Sequence, residues 1–203
     1  MAVTISGSTG IASVDGSAGS PSSRGTDANS GVFYAADAIK FSTGGTQRAV
    51  IDNNGLSATG HIIQVQAAKT NNRTEMSSTT WAATNLNCSI TTSTNSNRII
   101  VQVTGDCNTN YANNELVLSV FRSIDGGTYT NLGNGTYGFM SARCVGSRLH
   151  SAVSIQFIDD PNTTDEVNYK VYMARASSGS GNVEFPVNNS WQYAYMHLLE
   201  LVT

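Results

Sequence analysis

From about residue 61 onward, apolar and polar residues alternate in short runs separated by turn residues. Ile63, Val65 and Ala67 share one face of a first run, followed by Leu86, Cys88 and Ile90, then Ile99, Val101 and Val103. Leu116, Leu118 and Val120 oppose Val117, Ser119 and Phe121, while Val153, Ile155 and Phe157 mark another run. Val167, Tyr169, Val171 and Met173 follow the turn at Asp160-Pro161-Asn162. A period of two is the signature of strands, and turn chemistry such as Asp125-Gly126-Gly127 closes neighbouring runs into hairpins. The pattern predicts roughly eight to ten strands and no helix, the spacing of an antiparallel sandwich or jelly roll. In the last run, WQYAYMHLLELV, Trp191, Tyr193, Tyr195, Leu199 and Leu201 fall on one side and Ala194, Met196 and Leu198 on the other. A strand apolar on both sides is covered on both. The second side is expected to lie under a loop or against other copies of the chain, which nominates Tyr193 and Tyr195 for self-association.

The segment before residue 61 is thinner. In IKFSTGGTQRAVIDNNG, Ile39 and Phe41 flank Lys40, a turn falls at Thr43-Gly44-Gly45, and Gln47 to Ile51 reads as extended. Asn53-Asn54-Gly55 turns the chain again, because Asn and Gly tolerate positive φ. Two such strands alone are marginal. Ile39, Phe41, Val50 and Ile51 are too few to form a core without copies of themselves, so they are expected to pack around an axis. Residues 1–30 hold few sizeable apolar groups (Val3, Ile5, Ile11 and Val14) among Gly, Ser and Ala. Such a segment cannot offset its own conformational entropy, so it is either a disordered tail or a segment held by a partner, and the second is expected. Three parts are therefore expected: 1–30 as an attachment segment, 31–60 as a short β neck, and 61–203 as a globular head.

Composition sharpens the fold class. Hydrophobic residues make up 39% of the 203 positions and charged residues only 12%. The polar remainder is Ser, Thr, Asn and Gly rather than the Lys and Glu that tile helical surfaces. With Thr, Val, Ile and Tyr favouring strands, the chain reads as all-β. A net charge of −3 favours neither nucleic acid nor an anionic membrane as partner. No apolar run approaches the ~20 residues of a membrane-spanning helix. MAVTISGSTGI lacks the basic and apolar regions of a secretory signal, and Cys88, Cys107 and Cys144 lack metal-site spacing. The expectation is synthesis in a reducing compartment, with Cys88 packing as a small apolar side chain.

Chemistry is sparse. STGGTQRAV has the spacing of neither a P-loop nor a dinucleotide loop, and no helix follows it. His61, His150 and His197 carry no metal-binding spacing. Asp159, Asp160, Asp165 and Glu166 cluster at a turn without the calcium-loop pattern, and nothing sets two of them across a sugar-sized cleft. A Ser nucleophile motif is also missing. No catalytic, metal or cofactor residue is nominated, and the chain reads as a non-enzyme. Tyr111, Tyr129 and Tyr137 are candidates for stacking on a saccharide, because aromatic rings offer contact area at little entropic cost.

A family likeness rests on the N-terminal half. SGSTGI, followed by GTDANSGVFYAADAIKFSTGGTQRAVIDNNGLSATG, resembles a repeat of tailed-bacteriophage fibre and spike proteins, familiar from phages of cyanobacteria. The matching residues are Gly25, Thr26, Asp27, Asn29, Gly31, Ser42 to Gly45, Arg48, Ile51, Asp52 and Gly55. More loosely, SIQFIDDPNTTDEVNYKVYMARASSGSG and WQYAYMHLLEL are similar in style to the trimeric knobs of such proteins, of the C1q and tumour-necrosis-factor type. The resemblance implies a homotrimer, an N-terminal segment bound to phage capsid or tail proteins, and an exposed jelly-roll knob. It implies a virion-surface protein made in the bacterial host cytoplasm. A single repeat is short for a tail fibre and favours capsid decoration, as a cement or head spike; the alternative is a receptor- or glycan-binding tail tip.

Overall fold

The computed structural model describes residues 14–176, 180–187 and 192–203. Those residues form eighteen strands and no helix, in two compact units. One contains residues 14–63 with 202–203, and the other contains 64–201. The first thirteen residues of the expected attachment segment, and Trp191, lie outside the described residues.

The first unit is a meander. β1 (Gly16–Ser17) and β2 (Ser20–Pro21) make a small hairpin, followed by β3 (Ser23–Arg24), β4 (Gly31–Ala35), β5 (Ala38–Thr43), β6 (Thr46–Asp52) and β7 (Gly55–Ala58). β3 to β7 form one sheet in chain order, each strand antiparallel to the next. The turns expected from the sequence are the ones that build it. Gly44 and Gly45 both have positive φ, the geometry of a two-residue hairpin loop whose twist suits its strands. In the next turn the Asp52 carboxylate accepts from the Asn54 amide at 2.8 Å. Arg48 is an extra residue between the pairs Phe41–Ala49 and Ser42–Gln47, a bulge, and its Nε donates to Thr43 Oγ1 at 2.9 Å. Residues 14–30 join the sheet rather than trailing from it. β3 pairs with β4, the Tyr34 amide donates to Asp15 O, and the β1–β2 hairpin lies on Phe33, where a Cβ on Gly16 would come within 3.3 Å of Phe33 Cβ.

The second unit has two antiparallel sheets. Its strands are β8 (Ile62–Thr70), β9 (Thr74–Met76), β10 (Ala82–Thr91), β11 (Arg98–Thr109), β12 (Glu115–Ile124), β13 (Thr130–Asn131), β14 (Met140–Arg143), β15 (Leu149–Asp159), β16 (Glu166–Arg175), β17 (Val183–Phe185) and β18 (Ala194–Leu201). In one sheet β11 is central. β15 pairs along one edge from Ile99–Asp159 to Thr109–Leu149, while β18 and then β17 share the other, bordered by β8 and β9. In the other sheet the order is β10–β16–β12, with β13 and β14 sharing the far edge of β12. The alternating residues of both sheets meet in one buried cluster. It includes Leu86 and Ile90, Val101 and Val103, Leu116 and Leu118, Ile155, Tyr169, Met173, Phe185, Met196 and Leu198. This is the arrangement of a β-sandwich, with inner positions apolar and outer ones polar.

Two polar clusters tie this core together, and neither was visible in the sequence. Glu200, 1% exposed, points inward from β18. Its Oε1 accepts from the Ser93 amide at 2.7 Å, the Ser93 hydroxyl at 2.8 Å and Asn97 Nδ2 at 2.8 Å. Gln64 donates to its Oε2 at 3.1 Å in the orientation that satisfies both amide atoms. The carboxylate thus anchors the β10–β11 loop. Elsewhere Asp159 accepts from Arg122 at 2.9 and 3.0 Å and from the Tyr169 hydroxyl at 2.6 Å, linking the end of β15 to the opposite sheet. Burial, and then the neighbouring Asp159 charge, push the Tyr169 phenol well above its ordinary range.

Candidate functional site

The meander carries its apolar residues on an open face. Cross-strand partners share a face of a sheet, and the register aligns Tyr34 with Ile39, Ile39 with Ile51, and Ile51 with Leu56. A second row joins Val32, Phe41, Ala49 and Ala58. Tyr34 is 39% exposed, Ile39 42%, Phe41 38%, Ile51 42% and Leu56 50%. Five large apolar side chains thus stand exposed together on one sheet face, and contiguous exposed apolar patches are where interaction sites are sought. Ile39, Phe41 and Ile51 are therefore brought together as the sequence suggested. Val50 is not. Adjacent strand residues point to opposite sides, so Val50 turns away from Ile51 and joins Lys40 and Ser57 on the other face. There it borders an open cavity of about 460 Å³ with Asp37, Lys40, Gln47, Asp52 and Asn53.

In the sandwich, β18 sorts as its pattern implied. Ala194, Met196 and Leu198 are buried, and Tyr193 and Tyr195 are exposed on the other side. The Tyr195 ring stacks against His197 at 6.3 Å between centroids, and Lys69 Nζ lies 5.0 Å from the Tyr193 ring centre. Val65, on the face the sequence grouped with Ile63 and Ala67, is 58% exposed. The core instead receives Ala68 from β8, and Gln64 reaches Glu200.

The three candidate saccharide tyrosines have separate surroundings. Tyr129 is committed to its neighbours. Its hydroxyl donates to Asn168 at 2.5 Å, Lys170 Nζ sits 5.6 Å over its ring, and it tilts against Tyr172 at 5.8 Å. Tyr172 stacks on Phe121 at 4.0 Å, and Trp81 tilts against Phe121 at 5.8 Å, so these rings are engaged with one another. Tyr137 and Tyr111 are each 54% exposed. Tyr137 follows an Asn134 turn, whereas Tyr111 borders a cavity of about 230 Å³ with Asn110, Ala112 and Ser147.

The acidic turn separates into individual partnerships. Asp159 belongs to the Arg122–Tyr169 cluster. Asp160 accepts from Arg98 Nη2 at 3.0 Å, and the hydrogen bond from Arg98 holds its carboxyl below the ordinary range. Asp165 accepts from the Thr163 hydroxyl at 3.0 Å. Among the described residues, no group of three or more His, Cys, Asp and Glu is placed to hold a metal ion. Cys88, Cys107 and Cys144 are buried free thiols; burial pushes Cys107 up to about 11 and raises Cys88.

The chain matches no family model, and no curated protein matches it.

Proposed function

We propose that this protein is a short homotrimeric spike on the surface of a tailed-phage virion, attached through its N-terminal region and displaying residues 64–201 as an exposed knob. Capsid decoration is the favoured position. The single observation that carries self-association is the ladder Tyr34–Ile39–Ile51–Leu56, an apolar face left open across four paired strands. Because β4 to β7 pair within one chain, copies would meet by faces rather than by strand edges. Burying the remaining two fifths of five such side chains supplies about 4 kcal/mol per copy at ~2 kcal/mol for each full burial. The outward Tyr193 and Tyr195 offer a second, separate contact of the same kind.

The strand order supports a jelly-roll knob. β8–β18–β11–β15 in one sheet and β10–β16–β12–β14 in the other make the chain cross repeatedly between two sheets, as a jelly roll requires. The virion assignment rests on the resemblance of residues 5–60 to phage fibre and spike repeats.

Native mass spectrometry at micromolar concentration tests the assembly, and a wild-type monomer defeats it. Ile51→Asp and Leu56→Asp should give monomers, whereas Val50→Asp, on the opposite side, should leave the trimer whole. Equal damage from all three would remove the face-packing reading. Labelling the protein on intact particles tests location: signal on heads supports decoration, and signal on tails moves the protein to the tail-tip role. Particle attachment that survives deletion of residues 1–30 would refute the N-terminal anchor.

A further inference from the structure

We propose that Tyr111 and its loop form a binding subsite for one neutral pyranose ring. This deepens the reading of residues 64–201 as an exposed head and supplies it with a ligand class.

Tyr111 lies in the loop between β11 and β12, and its base is rigidly seated. Gly181 packs against it so closely that a Cβ there would fall 2.5 Å from Tyr111 Cβ and 3.0 Å from Cγ. Gly181 also has φ +85°, so only glycine permits this approach without strain. The same loop is fastened at several points. Asn110 Oδ1 accepts from the Asn182 amide at 3.0 Å, and Asn114 Nδ2 donates to Asn182 O at 3.2 Å. The Asn113 amide donates to Cys144 O at 2.8 Å, and the Asn114 amide to Tyr111 O at 3.2 Å. An exposed tyrosine held in this way presents its ring at little further entropic cost. It has no aromatic stacking partner among the described residues, unlike Tyr129.

The space beside the ring specifies the ligand. The cavity of about 230 Å³ is lined by Asn110, Tyr111, Ala112 and Ser147. This is below the size of drug-sized ligand sites and suits a single sugar ring. Among the described residues that line it none is charged, so a neutral polyol fits better than an ion. The wall it presents is mostly apolar, and Asn110, whose Oδ1 accepts from the Asn182 amide, and Ser147 bring an amide and a hydroxyl to its rim. A ring-stacking surface flanked by an amide and a hydroxyl complements a pyranose, whose C–H face is apolar and whose rim is hydroxylated.

Saturation-transfer NMR on the full chain, with methyl glycosides of glucose, galactose, mannose and N-acetylglucosamine, tests this directly. At least one should show saturation of its ring protons with millimolar affinity. Tyr111→Ala should weaken that binding by about tenfold or more, the equivalent of one lost stacking contact. Tyr111→Trp should retain it, and Tyr137→Ala should leave it unchanged. Circular dichroism of each variant checks that the fold persists. No transfer to any glycoside at roughly 50 mM, a concentration that would populate even weak sites, overturns the subsite, as does equal loss from Tyr111→Ala and Tyr137→Ala. Oligomeric state measured on the same sample keeps the outcomes separate: a trimer without sugar binding sinks only this site, and sugar binding by a monomer sinks only the spike.

Discussion

Glu200→Ala should unfold the sandwich at much lower denaturant than the wild type. The carboxylate is 1% exposed and receives three donors on one oxygen, at 2.7, 2.8 and 2.8 Å. Hydrogen bonds to a charged acceptor are each worth about 1.5–3 kcal/mol. Without Glu200, the Ser93 hydroxyl can rotate toward another acceptor. Ser93 is exposed, so its amide can turn to water, and Asn97 Nδ2 keeps its bond to Ser93 Oγ at 3.1 Å, but the N–H that met Glu200 is left unpaired on a buried residue. One stranded N–H on Asn97, together with the space left by the side chain, gives a loss of about 2–4 kcal/mol. That is a large share of the ~5–15 kcal/mol typical of a domain. Glu200→Gln keeps the shape and one acceptor oxygen, so it should lose roughly half as much. Urea unfolding followed by circular dichroism measures both, with an unchanged m value showing that the same surface is exposed. A loss below about 1 kcal/mol for the alanine variant would mean that this network is incidental to stability.

Further expectations concern the rest of the core. Tyr169 ordinarily ionises near pH 10, and its phenol is pushed well up in the fold. Its stabilisation is therefore complete below pH 10 and is lost as pH rises above it. Urea midpoints between pH 8 and 11 should fall less steeply for Tyr169→Phe than for wild type, and parallel slopes would contradict the assignment. The three buried thiols should react with an aromatic disulfide reagent only after denaturant is added; rapid native reaction at Cys88, Cys107 or Cys144 would show that the core opens. Gly138 has φ +62°, and a Cβ there would lie 2.2 Å from Leu118 O. Gly138→Ala should cost ~3 kcal/mol or more in a thermal melt, while Gly135→Ala, with open space around it, should cost little.

Much of the architecture was legible because strands announce themselves locally. The alternation of Val167, Tyr169, Val171 and Met173 appears as four buried residues of β16, and the asymmetry of the last run correctly sorted Ala194, Met196 and Leu198 from Tyr193 and Tyr195. Thr43-Gly44-Gly45 and Asp125-Gly126-Gly127 turn where their residues permit positive φ. Less was legible of the candidate sites. Tyr111, Tyr129 and Tyr137 look alike in sequence, yet Asn168 and Lys170 occupy Tyr129, and only Tyr111 has both a seat and a cavity. Grouping Val50 with Ile51 overlooked the two-residue period of the strand that holds both.

By itself, the sequence determined the all-β class, the turns, and the inward face of most strands, because these depend on φ preferences and on alternation within a few residues. It was silent on which strands become neighbours. Tertiary structure alone decided that β18 and β17 share one edge of β11, that Glu200 meets Ser93 and Asn97, and that Gly181 seats Tyr111. Pairing between strands depends on the packing of a shared core, and partners such as Glu200 and Ser93 stand more than a hundred positions apart. The open apolar face of the meander arises in the same way. Tyr34, Ile39, Ile51 and Leu56 are unremarkable one at a time, and become a surface only when register places them side by side.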